Sequence, residues 1–195
     1  MFFLKDEFYR YLTSRLRQGW WTWVLRKKLL AKTPTASIDL DVKIVGVQNI
    51  CLGQDVRIDK GCYLNAGGKE YIGTDGRIVL GDHVIVGFHS ILFAGGGHIE
   101  IGDLTRIGLG CIISAQSEDS FANPDTKPAE HKHIFELVQI GKSCLIAGGA
   151  IILGGSDIGD HSIIGAGAVV KGKYPPNSTL IGNPARAIPR LTFDK

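Results

Sequence analysis

Two histidines one residue apart, His131 and His133, are by type the side chains of this 195-residue sequence best suited to moving a proton near neutral pH. A third, His98, follows three consecutive glycines, and Glu118 and Asp119 are carboxylates of the kind that orient an imidazole and stabilise its charged form. Such a group acts as the general base that activates a nucleophile. Histidines also bind zinc, but a zinc site needs several ligands at set spacing, and beyond the pair at 131 and 133 no such pattern exists; no metal is expected. His83 and His161 each follow an aspartate in a repeated Gly-Asp-His turn and are read as solvent-facing, and nothing singles out His89.

What must position these residues is a repeat. An aliphatic residue recurs every six positions, usually followed by glycine and, four residues on, by a small or β-branched residue. The aliphatic positions fall in threes: Leu52, Ile58, Leu64; Leu80, Val86, Leu92; Ile101, Ile107, Ile113; Ile140, Ile146, Ile152; Ile158, Ile164, Val170. Steps between groups are 16, 9, 27 and 6 residues, so every insertion follows a third hexad. Each hexad makes a short strand and a turn, three make a coil, and stacked coils bury the aliphatic column. All insertions then share one corner of a triangular solenoid. His98 and the pair at 131 and 133 belong to that corner, the pair within a long loop insertion at 114–137.

Composition agrees. Twenty-six glycines and only 8% aromatic residues suit many tight turns around small aliphatic side chains, and exclude a helical bundle. The chain reads as one buried domain, 34–190, preceded by a segment 1–33 and followed by a tail 191–195. Of the 22 lysines and arginines, eight lie in the first 33 residues, so the net charge of +3 belongs to the N-terminus; no basic face for nucleic acid runs along the body. In that segment Phe8, Tyr11, Leu12, Leu16, Trp20, Trp23 and Val24 form an apolar stripe at helical steps. This amphipathic helix is expected to cap the first coil, with residues 1–30 also the candidate for peripheral membrane contact. No stretch is long and apolar enough to cross a membrane. Cys62, Cys111 and Cys144 stand where other repeats have Val, Ala, Ser or Thr, and read as reduced core fillers of a cytoplasmic protein, at most at the inner face of the membrane.

The run Ile-Gly-Asp-His-Ser-Ile-Ile-Gly-Ala-Gly-Ala-Val-Val at 158–170, followed by Pro175-Pro176-Asn177 and Gly182-Asn183-Pro184-Ala185-Arg186, resembles the hexapeptide-repeat acyltransferases of the maltose, galactoside and O-antigen O-acetyltransferase group. The resemblance covers about residues 44–190. It implies an all-β fold, a left-handed parallel β-helix of about five to six triangular coils. It also implies a homotrimer with an acetyl-CoA site between subunits. Periodicity alone does not give the hand.

The family's catalytic histidine falls in a loop at the insertion corner, at a place that here reads Gln116 to Glu118. His133 and His131, and after them His98, are therefore the candidate bases, with Glu118 or Asp119 as the orienting carboxylate. For the donor, Ala147, Gly148, Gly149, Ala166 and Gly167 would let a pantetheine arm approach the backbone, and Lys171, Lys173 and Arg186 would meet the phosphates. The activity implied is acetyl transfer from acetyl-CoA to a hydroxyl of a sugar of O-antigen or capsule. The alternatives are an N-acetyltransferase acting on an amino or nucleotide sugar, and a non-catalytic β-helix scaffold.

Overall fold

A computed structural model describes Val24, Lys27 and residues 29–67, 74–119 and 132–189. Within them the chain winds through three parallel sheets in strict rotation. Sheet A comprises Ser37–Ile38, Arg57–Ile58, Ile85–Val86, Arg106–Ile107, Leu145–Ile146, Ile163–Ile164 and Thr179–Ile181. Sheet B comprises Lys43–Val45, Tyr63–Asn65, Ile91–Phe93, Ile112–Ser114, Ile151–Leu153 and Val169–Val170. Sheet C comprises Ile50–Leu52, Arg77–Leu80, His98–Ile101, Leu137–Ile140, Asp157–Ile158 and Lys173–Tyr174. Six coils result, as the repeat leads one to expect, with Thr179–Ile181 opening a seventh that Arg186–Ile188 closes by antiparallel pairing.

Each strand buries its aliphatic hexad residue and turns its neighbours outward, because side chains alternate across a strand. Ile58, Leu64, Leu80, Leu92, Ile113, Ile146, Ile152 and Ile164 are essentially inaccessible. The small residues that follow sit inside the turns, where they link coils. Ser90 donates to the Gly108 carbonyl at 2.9 Å and accepts the Cys111 amide at 3.1 Å. Thr105 does the same with Gly141 and Cys144 at 2.8 and 3.0 Å. The thiols of Cys62 and Cys111 donate to Gly87 and Ala147 at 3.1 and 3.2 Å. That shared geometry explains why Ser, Thr and Cys exchange at one position of the repeat. All four cysteines are free, three are buried, and burial pushes the thiols of Cys62, Cys111 and Cys144 above their ordinary pKa.

The repeated Gly-Asp turns join sheet C to sheet A. There the aspartate of one coil accepts an amide of the preceding coil, Asp82 from Gln54 and Asp103 from Asp82, each at 2.8 Å. The next residue turns left-handed, with φ of 57° at His83, 61° at Leu104 and 59° at His161, and the two histidines point to solvent.

The repeat starts one coil earlier than the six-residue step indicates. Ile38 and Ile44 are buried, and a single 3-10 turn at Val47–Asn49 stretches the step to Leu52, hiding the first coil from a strict six-residue period. Helical backbone at residues 29–32 precedes it, with Leu29 only 1% exposed against the core. The rest of the apolar stripe, from Phe8 to Trp23, lies outside the described residues. So do the tail and the centre of the long insertion. Among the described residues no helix is long and apolar enough to cross a membrane.

Candidate active site

All length variation falls where sheet B hands over to sheet C, as the grouping of hexads requires. The third coil spans this corner in Ala94 to Gly97, closed by a Gly97-to-Ala94 hydrogen bond of 2.7 Å. The fourth coil opens here into an antiparallel hairpin, Gln116–Glu118 against His133–Phe135, so the long insertion is strand at its base and not loop throughout. Its register pairs Glu118 with His133 and Gln116 with Phe135. Hydrogen bonds of 2.9 to 3.0 Å, from the Glu136 amide to Ala115 and from the His98 amide to Glu136, tie the hairpin to the coils.

This hairpin gathers side chains suited to proton transfer. His133 Nδ1 lies 3.2 Å from Gln116 Nε2 and 4.0 Å from Glu118 Oε1. Its ring stacks on Phe135, centroids 6.1 Å apart and planes inclined by 23°. Gln116 Oε1 is buried against Gly95 and has no hydrogen-bond partner among the described residues. A Cβ on Gly96 would stand 2.8 Å from the Phe135 ring, so two consecutive glycines make room for the hairpin. Glu136 points the opposite way along the corner. Its carboxylate lies over Gly154 and Gly155, where added Cβ atoms would come within 2.6 and 2.8 Å of its oxygens, and Lys171 Nζ approaches to 3.8 Å.

The structure thus unites His133 with Glu118, as the sequence suggests, and adds Gln116 and Glu136, which sequence reasoning missed. Neither Gln-Ser-Glu nor His-Ile-Phe carries a pattern that announces their pairing. His131 lies outside the described residues. His98 requires a correction: it is the exposed first residue of a sheet C strand, in register with Arg77 and Leu137, and not part of a loop. The cause is that three glycines suffice for the turn, so the strand begins at once. Its side chain makes no hydrogen bond or ion pair among the described residues.

The candidate donor-binding residues lie elsewhere. Ala147, Gly148 and Gly149, and likewise Ala166 and Gly167, form the corner between sheets A and B in the fifth and sixth coils. Gly110, Gly149 and Gly167 are stacked there in left-handed conformation at φ of 63°, 71° and 66°. A Cβ on Gly110 or Gly167 would meet nothing within 4 Å, so the backbone is open from outside. The basic candidates are not gathered at that corner. Lys171 is beside Glu136, Lys173 is exposed on sheet C, and Arg186 lies opposite Ile181 in the closing strand pair. Among the described residues no group of three His, Cys, Asp or Glu is placed to hold a metal ion. An open depression of about 430 Å³ on sheet A, between His83, Arg106 and Leu145, contains none of the candidates.

A six-residue repeat wound into a triangular parallel β-helix, with polar side chains collected at one corner, is the architecture of hexapeptide transferases. The family model described as bacterial transferase hexapeptide (six repeats) matches residues 138–172. The chain is 30% identical over 148 residues to dTDP-4-amino-4,6-dideoxy-D-glucose acyltransferase of Escherichia coli, an alignment covering 73% of this chain and 72% of that one. It belongs to the hexapeptide-repeat acyltransferases, whose β-helix is left-handed. Solved structures agree on the fold. AntD, an N-acyltransferase from Bacillus cereus, in complex with dTDP and 3-hydroxybutyryl-CoA, superposes with a TM-score of 0.69 at 23% identity, covering 80% of each chain. The acetyltransferase domain of PglB from Neisseria gonorrhoeae gives 0.55 at 20% identity, covering 78% of this chain and 57% of that one.

Proposed function

We propose that this protein transfers an acyl group from acyl-CoA, with acetyl-CoA the simplest donor, to the amino group of a nucleotide-linked amino sugar. The observation that carries the reading is the identity to an acyltransferase named for such an acceptor, extending over nearly three quarters of both chains. The corner chemistry supports it. An amine, once neutral, attacks a thioester with less help than a hydroxyl needs, which fits a chain with Gln116 to Glu118 where a catalytic histidine would otherwise stand.

In this reading His133 takes the proton that the acceptor nitrogen loses, and Glu118 stabilises the imidazolium that forms. Glu136 offers a carboxylate for the acceptor's ammonium before it is deprotonated, with Lys171 balancing its charge. Acyl-CoA supplies the activated carbonyl, and the open glycine corner fits a pantetheine arm because no side chain blocks the backbone.

In one chain, however, the glycine corner and the His133 corner lie at opposite edges of sheet B. A second copy brings them together. The outer face of sheet B carries Lys43, Tyr63, Ile91, Ile112, Ile151 and Val169 in one registered row, uncharged in the five coils that follow the first. Packing this row around a three-fold axis buries it and sets one copy's His133 corner beside the next copy's glycine corner. The homotrimer is therefore part of the proposal.

The test is thiol release from acetyl-CoA by purified protein, offered dTDP-4-amino-4,6-dideoxyglucose, neutral nucleotide sugars or oligosaccharides. Release with the amino sugar and an amide product by mass spectrometry support the reading. An ester formed on a neutral saccharide would move the assignment to O-acetyl transfer, which the motifs at 158–186 favour. Absence of acyl-CoA binding would leave a scaffold.

A further inference from the structure

We propose that Gln116 is a positioning residue that sets the tautomer of His133, holding the imidazole proton on Nδ1 so that Nε2 is free to accept one. The inference rests on the reading of His133 as the base. Its geometry is independent of the acceptor.

Among the described residues, His133 is held from its Nδ1 side. The Gln116 amide contacts Nδ1 through the atom placed as Nε2, at 3.2 Å, the Glu118 carboxylate stands 4.0 Å from the same ring nitrogen, and Phe135 lies along the ring. Nε2 is left as the nitrogen for chemistry. A neutral imidazole has one donor and one acceptor nitrogen, so the group facing Nδ1 decides what Nε2 does. If the Gln116 NH2 faces Nδ1, that nitrogen must accept, Nε2 carries the proton, and His133 is a hydrogen-bond donor and no base. If Oε1 faces Nδ1, the proton sits on Nδ1 and Nε2 is a base.

Amide nitrogen and oxygen differ by a half-turn of one side-chain torsion. The far end of the amide does not decide between them, since it is buried against Gly95 and one end lacks a partner in either orientation. Glu118 decides. With the NH2 inward, the Nδ1 lone pair faces a carboxylate, which is repulsive. With Oε1 inward, the Nδ1 N–H is donated to the amide oxygen and its positive end faces the carboxylate 4.0 Å away, which is attractive. Gln116 is then a second orienting group for an imidazole supplied by the opposite hairpin strand.

The measurement is the tautomer and pKa of His133 from its ring 15N resonances in the full chain labelled at histidine, alongside the pH profile of acyl transfer. Among the described residues, ionisable groups on the surrounding elements are Glu118 and Asp119 across the hairpin, Lys132 and Glu136 on either side of its second strand, and His98 on the adjoining coil. His133→Ala assigns the resonance. Wild type is expected to show Nδ1–H. Gln116→Leu is expected to lose that preference and to lower kcat/KM about tenfold with KM little changed. Gln116→Glu is expected to retain Nδ1–H, raise the imidazole pKa, and move the acid limb of the profile upward. Thermal melting separates these effects from misfolding. An Nε2–H wild-type ring, or an unchanged tautomer in folded Gln116→Leu, overturns the proposal. Full activity of His133→Ala would instead sink the base assignment, leaving the tautomer result readable by itself.

Discussion

The two corners that flank sheet B are built from the same hexad and have diverged in opposite ways. Between A and B every described coil turns in the same number of residues, and Gly110, Gly149 and Gly167 leave bare backbone in a stack. Between B and C the length changes from coil to coil, and side chains crowd onto glycines, Gln116 on Gly95, Phe135 on Gly96, Glu136 on Gly154 and Gly155. The difference teaches how a solenoid separates its tasks. Backbone at a constant corner suits a ligand part common to many enzymes. Side chains at a variable corner suit the reacting groups and the partner that differs.

The largest expected effect comes from separating the corners between copies. Ile112, in the middle of the apolar row, is 37% exposed, so glutamate there has water in the monomer and would be buried unpaired in an assembly. Ile112→Glu is expected to give a folded monomer by light scattering with acyl transfer abolished; a trimeric, active variant would remove sheet B from the interface. Next is His133→Ala, expected to lower kcat/KM by roughly 10²–10⁴-fold, the usual worth of a general base, at unchanged melting temperature. His98→Ala in the same assay is expected to change little, because the His98 side chain has no hydrogen bond or ion pair among the described residues.

Gly167→Val probes the other corner. At φ of 66° a β-branched residue is strained by about 1–2 kcal/mol, though its Cβ meets open space. A rise in KM for acyl-CoA of about tenfold, with kcat nearly constant, is expected if this backbone receives the donor. A change in kcat alone would place the donor elsewhere.

How much of this was legible follows from what each part is made of. The coils and the shared insertion corner announce themselves because Leu64, Leu92, Ile113, Ile152 and Val170 each occupy the third place in a six-residue step. The first coil does not, since the 3-10 turn after Gly46 lengthens one step although Ile38 and Ile44 are buried like the rest. The hairpin base is silent for another reason. Gln-Ser-Glu and His-Ile-Phe make no apolar face, so their pairing is specified by position over the coils and not by their own pattern. His133 and Glu118 were recognisable as chemical types. Gln116 was not, since a glutamine becomes informative only when an imidazole is seen against it.

The smallest effect concerns the core that both corners share. Cys62, Cys111 and Cys144 have their thiol pKa raised by burial, with hydrogen bonds from neighbouring amides offsetting part of the rise. In the unfolded chain the same thiols ionise at their ordinary value, about 8.5. Below that pH both states hold the proton and the contribution is fully present. Above it the unfolded state releases protons that the folded state retains, so stability must fall as pH rises through the alkaline range. The melting temperature is expected to decline as pH rises above the ordinary thiol value. The triple variant Cys62→Ser, Cys111→Ser, Cys144→Ser should flatten that decline, because Ser90 and Thr105 already make the same coil-to-coil hydrogen bonds at equivalent turns. Iodoacetamide on the native protein should modify exposed Cys51 well before the other three; equal rates at all four would show that the coils open far more readily than their buried column implies.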